Sequence, residues 1–120
     1  MSHVAEGHAL TIPKLMEQKA KTKITMVTCY DFAFAKLIDQ SKIDVVLVGD
    51  SLGNVVLGYE NTIPVTLDET IHHAKAVRRG LKRAAMIVDM PFGSYQCGVD
   101  DAVRNAVQVI KETGAQAVKL

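Results

Sequence analysis

Two short apolar runs, Val45-Val46-Leu47-Val48-Gly49-Asp50 and Ala84-Ala85-Met86-Ile87-Val88-Asp89, each end on an aspartate. Apolar runs of this kind, rich in Val and Ile and flanked by helical patterns, read as strands covered on both faces. The rest of the chain repeats the rhythm. Ile24-Thr25-Met26-Val27-Thr28-Cys29-Tyr30 is a β-branched run and the first expected strand. Asp31 can cap a following helix in which Phe34, Leu37 and Ile38 share a face at helical spacing. Ile43 to Val48 is the second strand, and the glycine-containing stretch from Gly49 to Pro64 is expected as a long loop, a kind that is commonly functional or disordered. Thr66-Leu67-Asp68-Glu69 is a capping box; the helix it opens has Leu67, Ile71, Ala74 and Leu81 as its apolar stripe and Gly80 as its expected left-handed stop.

The third strand runs to Asp89, and Pro91-Phe92-Gly93 breaks the chain. Val99, Val103, Ala106, Val107 and Ile110 mark a third amphipathic helix ending at Gly114, and a fourth strand begins near Gln116-Ala117-Val118. Upstream, residues 1–10 show no period and are expected as a mobile tail, while Pro13 suits an early position in a short helix reaching Lys19. The order β-α-β-α-β-α-β has crossovers long enough to require parallel pairing. Either a doubly wound sheet or a (β/α)₈ barrel follows. No G-x-G-x-x-G succeeds the first strand, so a dinucleotide site is poorly supported. A complete barrel needs about 250 residues. The 120 residues here have no room for a helix after the fourth strand, so residues 11–120 are expected as the N-terminal half of one barrel domain.

Composition narrows the function classes. With 48% apolar and 22% charged residues the chain is ordinary for a globular protein. A net charge of +1, three Tyr, three Phe and no Trp argue against nucleic acid or an anionic membrane as partner. No apolar stretch reaches the roughly 20 residues of a bilayer span, and the first ten residues lack a signal-peptide core, so a cytoplasmic location is expected. Cys29 and Cys97 are too far apart in sequence for a metal or redox motif and are expected as free thiols without a role, Cys29 in the core.

The two aspartates carry the candidate chemistry. A carboxylate at the C-terminal edge of a parallel strand leaves the core and enters the rim where such folds hold their ligands. Asp50 and Asp89 on neighbouring strands would converge as hard oxygen ligands for a divalent cation such as Mg²⁺. Each could instead simply cap the next helix. Lys119 on its own reads as a surface lysine at a strand end; its place between Val118 and Leu120, both expected to be buried, leaves a direction into a barrel mouth open as the alternative. Ser51 could cap a turn, and Tyr30 and Asp31 close the first strand where they can shape a pocket. His72 and His73 are neighbours on a helix, point about 100° apart and suit a structural or solvent-facing role better than chelation. Arg78, Arg79, Lys82 and Arg83 form a solvated basic edge at a helix end.

The stretch Val48-Gly49-Asp50-Ser51-Leu52-Gly53-Asn54-Val55-Val56-Leu57-Gly58-Tyr59 resembles the signature of the ketopantoate (3-methyl-2-oxobutanoate) hydroxymethyltransferase family. So do Thr28-Cys29-Tyr30-Asp31, Thr62-Ile63-Pro64-Val65-Thr66, Ala76-Val77-Arg78-Arg79-Gly80, Asp89-Met90-Pro91-Phe92 and Gly114-Ala115-Gln116-Ala117-Val118-Lys119, in the family's order from about Lys14 to Leu120. The resemblance implies a (β/α)₈ barrel of the phosphoenolpyruvate/pyruvate type, large homo-oligomers and a role in pantothenate synthesis. It implies transfer of a hydroxymethyl group from 5,10-methylenetetrahydrofolate to 3-methyl-2-oxobutanoate, giving 2-dehydropantoate through a Mg²⁺-stabilised enolate. By motif, Asp50 and Asp89 correspond to the metal carboxylates, Ser51 to a hydroxyl contact with the substrate carboxylate, and Lys119 to the cation facing the 2-oxo acid. All four are expected to bind substrate.

In the family a further metal-holding glutamate follows the position of Leu120, and the general base lies later still. No residue of the chain is therefore expected to be the base, and the 120 residues alone are expected to be inactive. Two other readings stay open: a related metal-dependent 2-oxo acid lyase, and a non-catalytic half-barrel acting by self-assembly.

Overall fold

A computed structural model of the chain describes residues 9–120. Residues 1–8, most of the expected tail, lie outside the described residues. Leu10 is tied to the body of the protein, its amide donating to the Arg83 carbonyl (2.7 Å).

The elements follow in the expected order: α1 (Ile12–Gln18), β1 (Met26–Thr28), α2 (Phe32–Asp39), β2 (Val45–Val48), α3 (Leu52–Val55), α4 (Leu67–Gly80), β3 (Ala85–Asp89), α5 (Val99–Thr113) and β4 (Ala117–Lys119). The strands form one parallel sheet in sequential order β1-β2-β3-β4. The parallel sheet with its crossover helices is the α/β architecture expected from the alternation. Helix starts obey their caps. Thr11 accepts from Lys14 N with Pro13 in the first turn, Asp31 accepts from Phe34 N, and the Thr66/Glu69 capping box is complete.

The two faces of the sheet differ. Val46, Val48, Met86 and Val88 point to the helix layer and pack with Ala35, Ile71, Ala74, Val77 and Val109 in the main core. Strand residues alternate faces, so the register partners Val45 and Ala85 point to the other side, where Leu15 of α1 closes over them. That second face is sealed only at its N-terminal end. Toward the C-terminal end it continues through Leu47 and Ile87 to Asp89 and Lys119.

Four expectations are corrected. The stretch after Gly49 is no simple loop: it folds into the short α3. Gly80 does not stop α4 in a left-handed conformation; α4 ends at Leu81 with extended backbone, and Gly80 is there because a Cβ would lie 2.7 Å from Ala35 Cβ and 2.8 Å from the Phe32 carbonyl. The helix α4 is thus pressed against α2, and α2 turns Ala35 inward while Phe34 and Leu37 remain exposed. Likewise α5 buries Val109 and Thr113, while Val99, Val103, Val107 and Ile110 face outward. Apolar periodicity located these helices, but which side was buried depended on backbone proximity. Gly114, with φ 72°, does end α5 in the left-handed region as expected.

Candidate functional site

Because all four strands run the same way, their C-terminal ends share one rim. Lys119 and Asp89 are register partners on β4 and β3, so their side chains leave the sheet on the same face. The Lys119 ammonium donates to Asp89 Oδ1 at 2.7 Å, a charge-assisted bond. Asp89 is 18% exposed and Lys119 56% exposed, which places this pair at the rim rather than in the core. The Asp89 hydrogen bond, and after it the Asp89 charge, raise the lysine above its ordinary pKa; slight burial opposes this, and the charge of Asp50 adds to it. Lys119 is therefore a fixed cation at neutral pH.

Beyond β2 the chain passes through buried Gly49 to half-buried Asp50 and Ser51. A Cβ on Gly49 would stand 3.3 Å from Asp89 Oδ2 and 3.3 Å from Ser51 Oγ. The absent side chain leaves a small cradle in which Asp89 of one strand and Ser51 of the next approach each other. Ser51 opens α3 yet makes no side-chain capping bond. Its hydroxyl is instead 2.8 Å from the Tyr30 hydroxyl, from the segment after β1. Tyr30 is held from behind, its carbonyl 2.8 Å from His73 Nδ1 of α4. His73 is thus a structural tie and His72 is exposed, in line with the roles expected for them.

The structure therefore gathers Asp89, Lys119 and Ser51 at one rim, with Asp50 close enough to act on the lysine charge. Sequence reasoning gave Tyr30 only a general part in shaping a pocket, and its partner Ser51 is 21 residues away along the chain. Only the placement of both at parallel strand ends joins them. Among the described residues no group of three or more His, Cys, Asp or Glu side chains is arranged to hold a metal. The donor chemistry still suits a hard divalent cation. Mg²⁺ is commonly held by one or two carboxylates with water or ligand oxygens completing its shell. Asp50 and Asp89 supply two carboxylates, and the Gly49 cradle keeps Asp89 Oδ2 clear of a Cβ.

Cys29 is buried, its thiol pushed up chiefly by desolvation with backbone hydrogen bonds opposing; Cys97 is exposed, and both are free. Cys29 lies just past the end of β1, in the core as expected. Among the described residues no helix is long and apolar enough to cross a membrane.

A family model described as ketopantoate hydroxymethyltransferase matches residues 9–120. The 3-methyl-2-oxobutanoate hydroxymethyltransferase of Heliobacterium modesticaldum is 53% identical over 112 residues, covering 92% of this chain and 41% of its own length. Its namesakes in Syntrophus aciditrophicus and Deinococcus radiodurans are 50% and 55% identical, covering 100% and 92% of this chain but 44% and 38% of their own. The chain spans about two-fifths of the length of these curated relatives. Among solved structures, phosphoenolpyruvate phosphomutase from Streptomyces platensis subsp. rosaceus superposes with a TM-score of 0.71 at 13% identity, over 91% of this chain and 37% of that one. At that identity the likeness is one of fold: the four-stranded parallel sheet and its helices match part of the α/β fold of that enzyme.

Proposed function

The chain belongs to the ketopantoate hydroxymethyltransferase family, and from that premise we propose that its rim is part of a site for 3-methyl-2-oxobutanoate. The reaction is transfer of a hydroxymethyl group from 5,10-methylenetetrahydrofolate, giving 2-dehydropantoate. The observation that carries this reading is the Lys119–Asp89 ion pair beside Ser51, at the strand ends where barrels of this class do their chemistry.

The chain's own groups divide the work. Lys119 holds a permanent positive charge near the ligand's 2-oxo group, where negative charge develops as the C3 proton leaves. Ser51 donates a hydrogen bond to the ligand carboxylate. Asp89 has two tasks, one oxygen fixing Lys119 and the other turned toward the Gly49 cradle. Asp50 and Asp89 are the residues that would hold a divalent cation such as Mg²⁺, which when bound supplies Lewis-acid polarisation to the ligand oxygens. The C3–H bond gives way to a new C–C bond between C3 and the folate-borne carbon, that carbon's two bonds to folate nitrogen are released to give tetrahydrofolate, and water supplies the hydroxyl oxygen; no residue of this chain is assigned to remove the C3 proton. The 120 residues alone are accordingly expected to be inactive. The reading includes a cytoplasmic, homo-oligomeric protein.

The test is to incubate the intact protein, as its source cells express it, with 3-methyl-2-oxobutanoate, 5,10-methylenetetrahydrofolate and MgCl₂. Formation of 2-dehydropantoate that stops on addition of EDTA is the expected result. Absence of product, or product formation indifferent to EDTA, overturns the reading.

A further inference from the structure

A serine hydroxyl has one proton to give and two lone pairs to offer. As a ligand for a carboxylate, Ser51 is useful only if that proton points at the ligand. Its orientation is set by its neighbours, and among the described residues its one side-chain partner is Tyr30, at 2.8 Å. The helix start that would ordinarily consume a serine hydroxyl does not do so here, since α3 is uncapped by Ser51. Tyr30 is itself half-buried and anchored through its carbonyl to His73, so its ring approaches Ser51 from a fixed backbone position.

We propose that Tyr30 is a positioning residue: its phenol O–H donates to Ser51 Oγ, occupying a lone pair and leaving the serine proton free for the carboxylate of a bound 2-oxo acid. The assignment rests on the reading that Ser51 contacts this carboxylate. A phenol is the better donor of the two hydroxyls, and with Ser51 donating outward the bond can run in only one direction. The arrangement costs the protein nothing on binding, because the serine is oriented before the ligand arrives. It also makes the Ser51 subsite selective for an acceptor, an anionic oxygen, over a donor such as an amide N–H.

The experiment is a double-mutant cycle on the intact protein, with binding of 3-methyl-2-oxobutanoate in MgCl₂ measured by calorimetry for wild type, Tyr30→Phe, Ser51→Ala and the double variant. Phe keeps the ring and its packing, and thermal melts confirm that each variant folds. Tyr30→Phe is expected to weaken binding about tenfold, and the double variant to bind no more than about twofold worse than Ser51→Ala alone, because the phenol acts only through the serine. In turnover, the loss appears in KM with kcat within a few-fold, and Ser51→Thr, which keeps the hydroxyl, recovers most of the affinity lost in Ser51→Ala. If the Tyr30→Phe penalty persists undiminished in the Ser51→Ala background, Tyr30 touches the ligand itself and the positioning role is overturned. Unchanged binding by Tyr30→Phe overturns it as well. If wild type fails to bind the 2-oxo acid at all, the functional reading falls and takes the positioning role with it.

Discussion

The two ends of the sheet use the same residue type for opposite purposes. At the N-terminal end, Asp39 terminates α2 and receives three backbone amides: Oδ2 accepts from Lys82 N, and Oδ1 from Arg83 N and Ala84 N, all at 2.9 Å. Arg83 also reaches the Asp39, Ser41 and Ile43 carbonyls, and Asp44 accepts from both Thr25 N and its hydroxyl. Every one of these bonds is spent on joining α2 and the strand starts, and Leu15 of α1 lies over the sheet there. At the C-terminal end, Asp89 gives one oxygen to a lysine and turns the other toward an open cradle, and Ser51 makes no cap. A carboxylate saturated by backbone amides is committed to the fold. One paired only with a single half-exposed cation keeps coordination capacity for a ligand.

The largest effect that separates the two ends comes from Asp89→Asn. It removes a carboxylate proposed to hold the metal as well as the partner of Lys119, and turnover in the intact protein is expected to fall roughly 100- to 1,000-fold. Its melting temperature stays close to wild type, because a rim ion pair contributes little to stability. A steady-state assay paired with a thermal melt checks both statements.

Asp39→Asn should do the reverse. An amide presents an N–H to at least one of the three backbone donors, and stability is expected to drop by about 2 kcal/mol. Activity per folded molecule should be unchanged. The loss has a pH signature. Desolvation pushes the Asp39 carboxyl up, but the amides of Ala84, Lys82 and Arg83, helped by the Arg83 charge, outweigh it and hold the group below its ordinary value. A depressed folded-state pKa means stability that is fully present above the unfolded value near 3.9 and lost as pH falls through the folded one. Urea titrations of the two proteins should therefore differ by a constant amount at neutral pH and converge in acid.

A smaller effect is expected at the junction that carries α2. Gly80→Ala forces a methyl group against Ala35 and the Phe32 carbonyl, and should cost about 1 to 2 kcal/mol by denaturant melts, with ligand affinity unaltered. The mildest signature belongs to Lys119. Its pKa is raised, so its contribution is complete below the ordinary lysine value near 10.4 and disappears only as pH climbs through the folded value. Ligand affinity should show no alkaline decline attributable to this group below pH of about 10.

Much of this contrast was legible in the sequence, for definable reasons. Asp31, Thr66 with Glu69, and Gly114 act through bonds within four residues, so their roles follow from local spacing. The strand ends at Asp50 and Asp89 follow from apolar runs that stop at a charge. Asp39 carried no such signal, because its three donors lie 43 to 45 residues on. Tyr30 reaches Ser51 across 21 residues, and neither its type nor its neighbours announces that bond. The outward faces of α2 and α5 were misjudged for a related reason. Both helices are periodic, but contact with α4 selects the face carrying Ala35 or Val109 over the one with the larger apolar side chains.

The most direct test of the account is calorimetric binding of 3-methyl-2-oxobutanoate to the intact protein, with and without MgCl₂, for wild type, Asp89→Asn and Asp39→Asn. Mg²⁺-dependent binding that survives in Asp39→Asn and is lost in Asp89→Asn is the expected result. Binding that ignores Mg²⁺, or that is undiminished in Asp89→Asn, would contradict it.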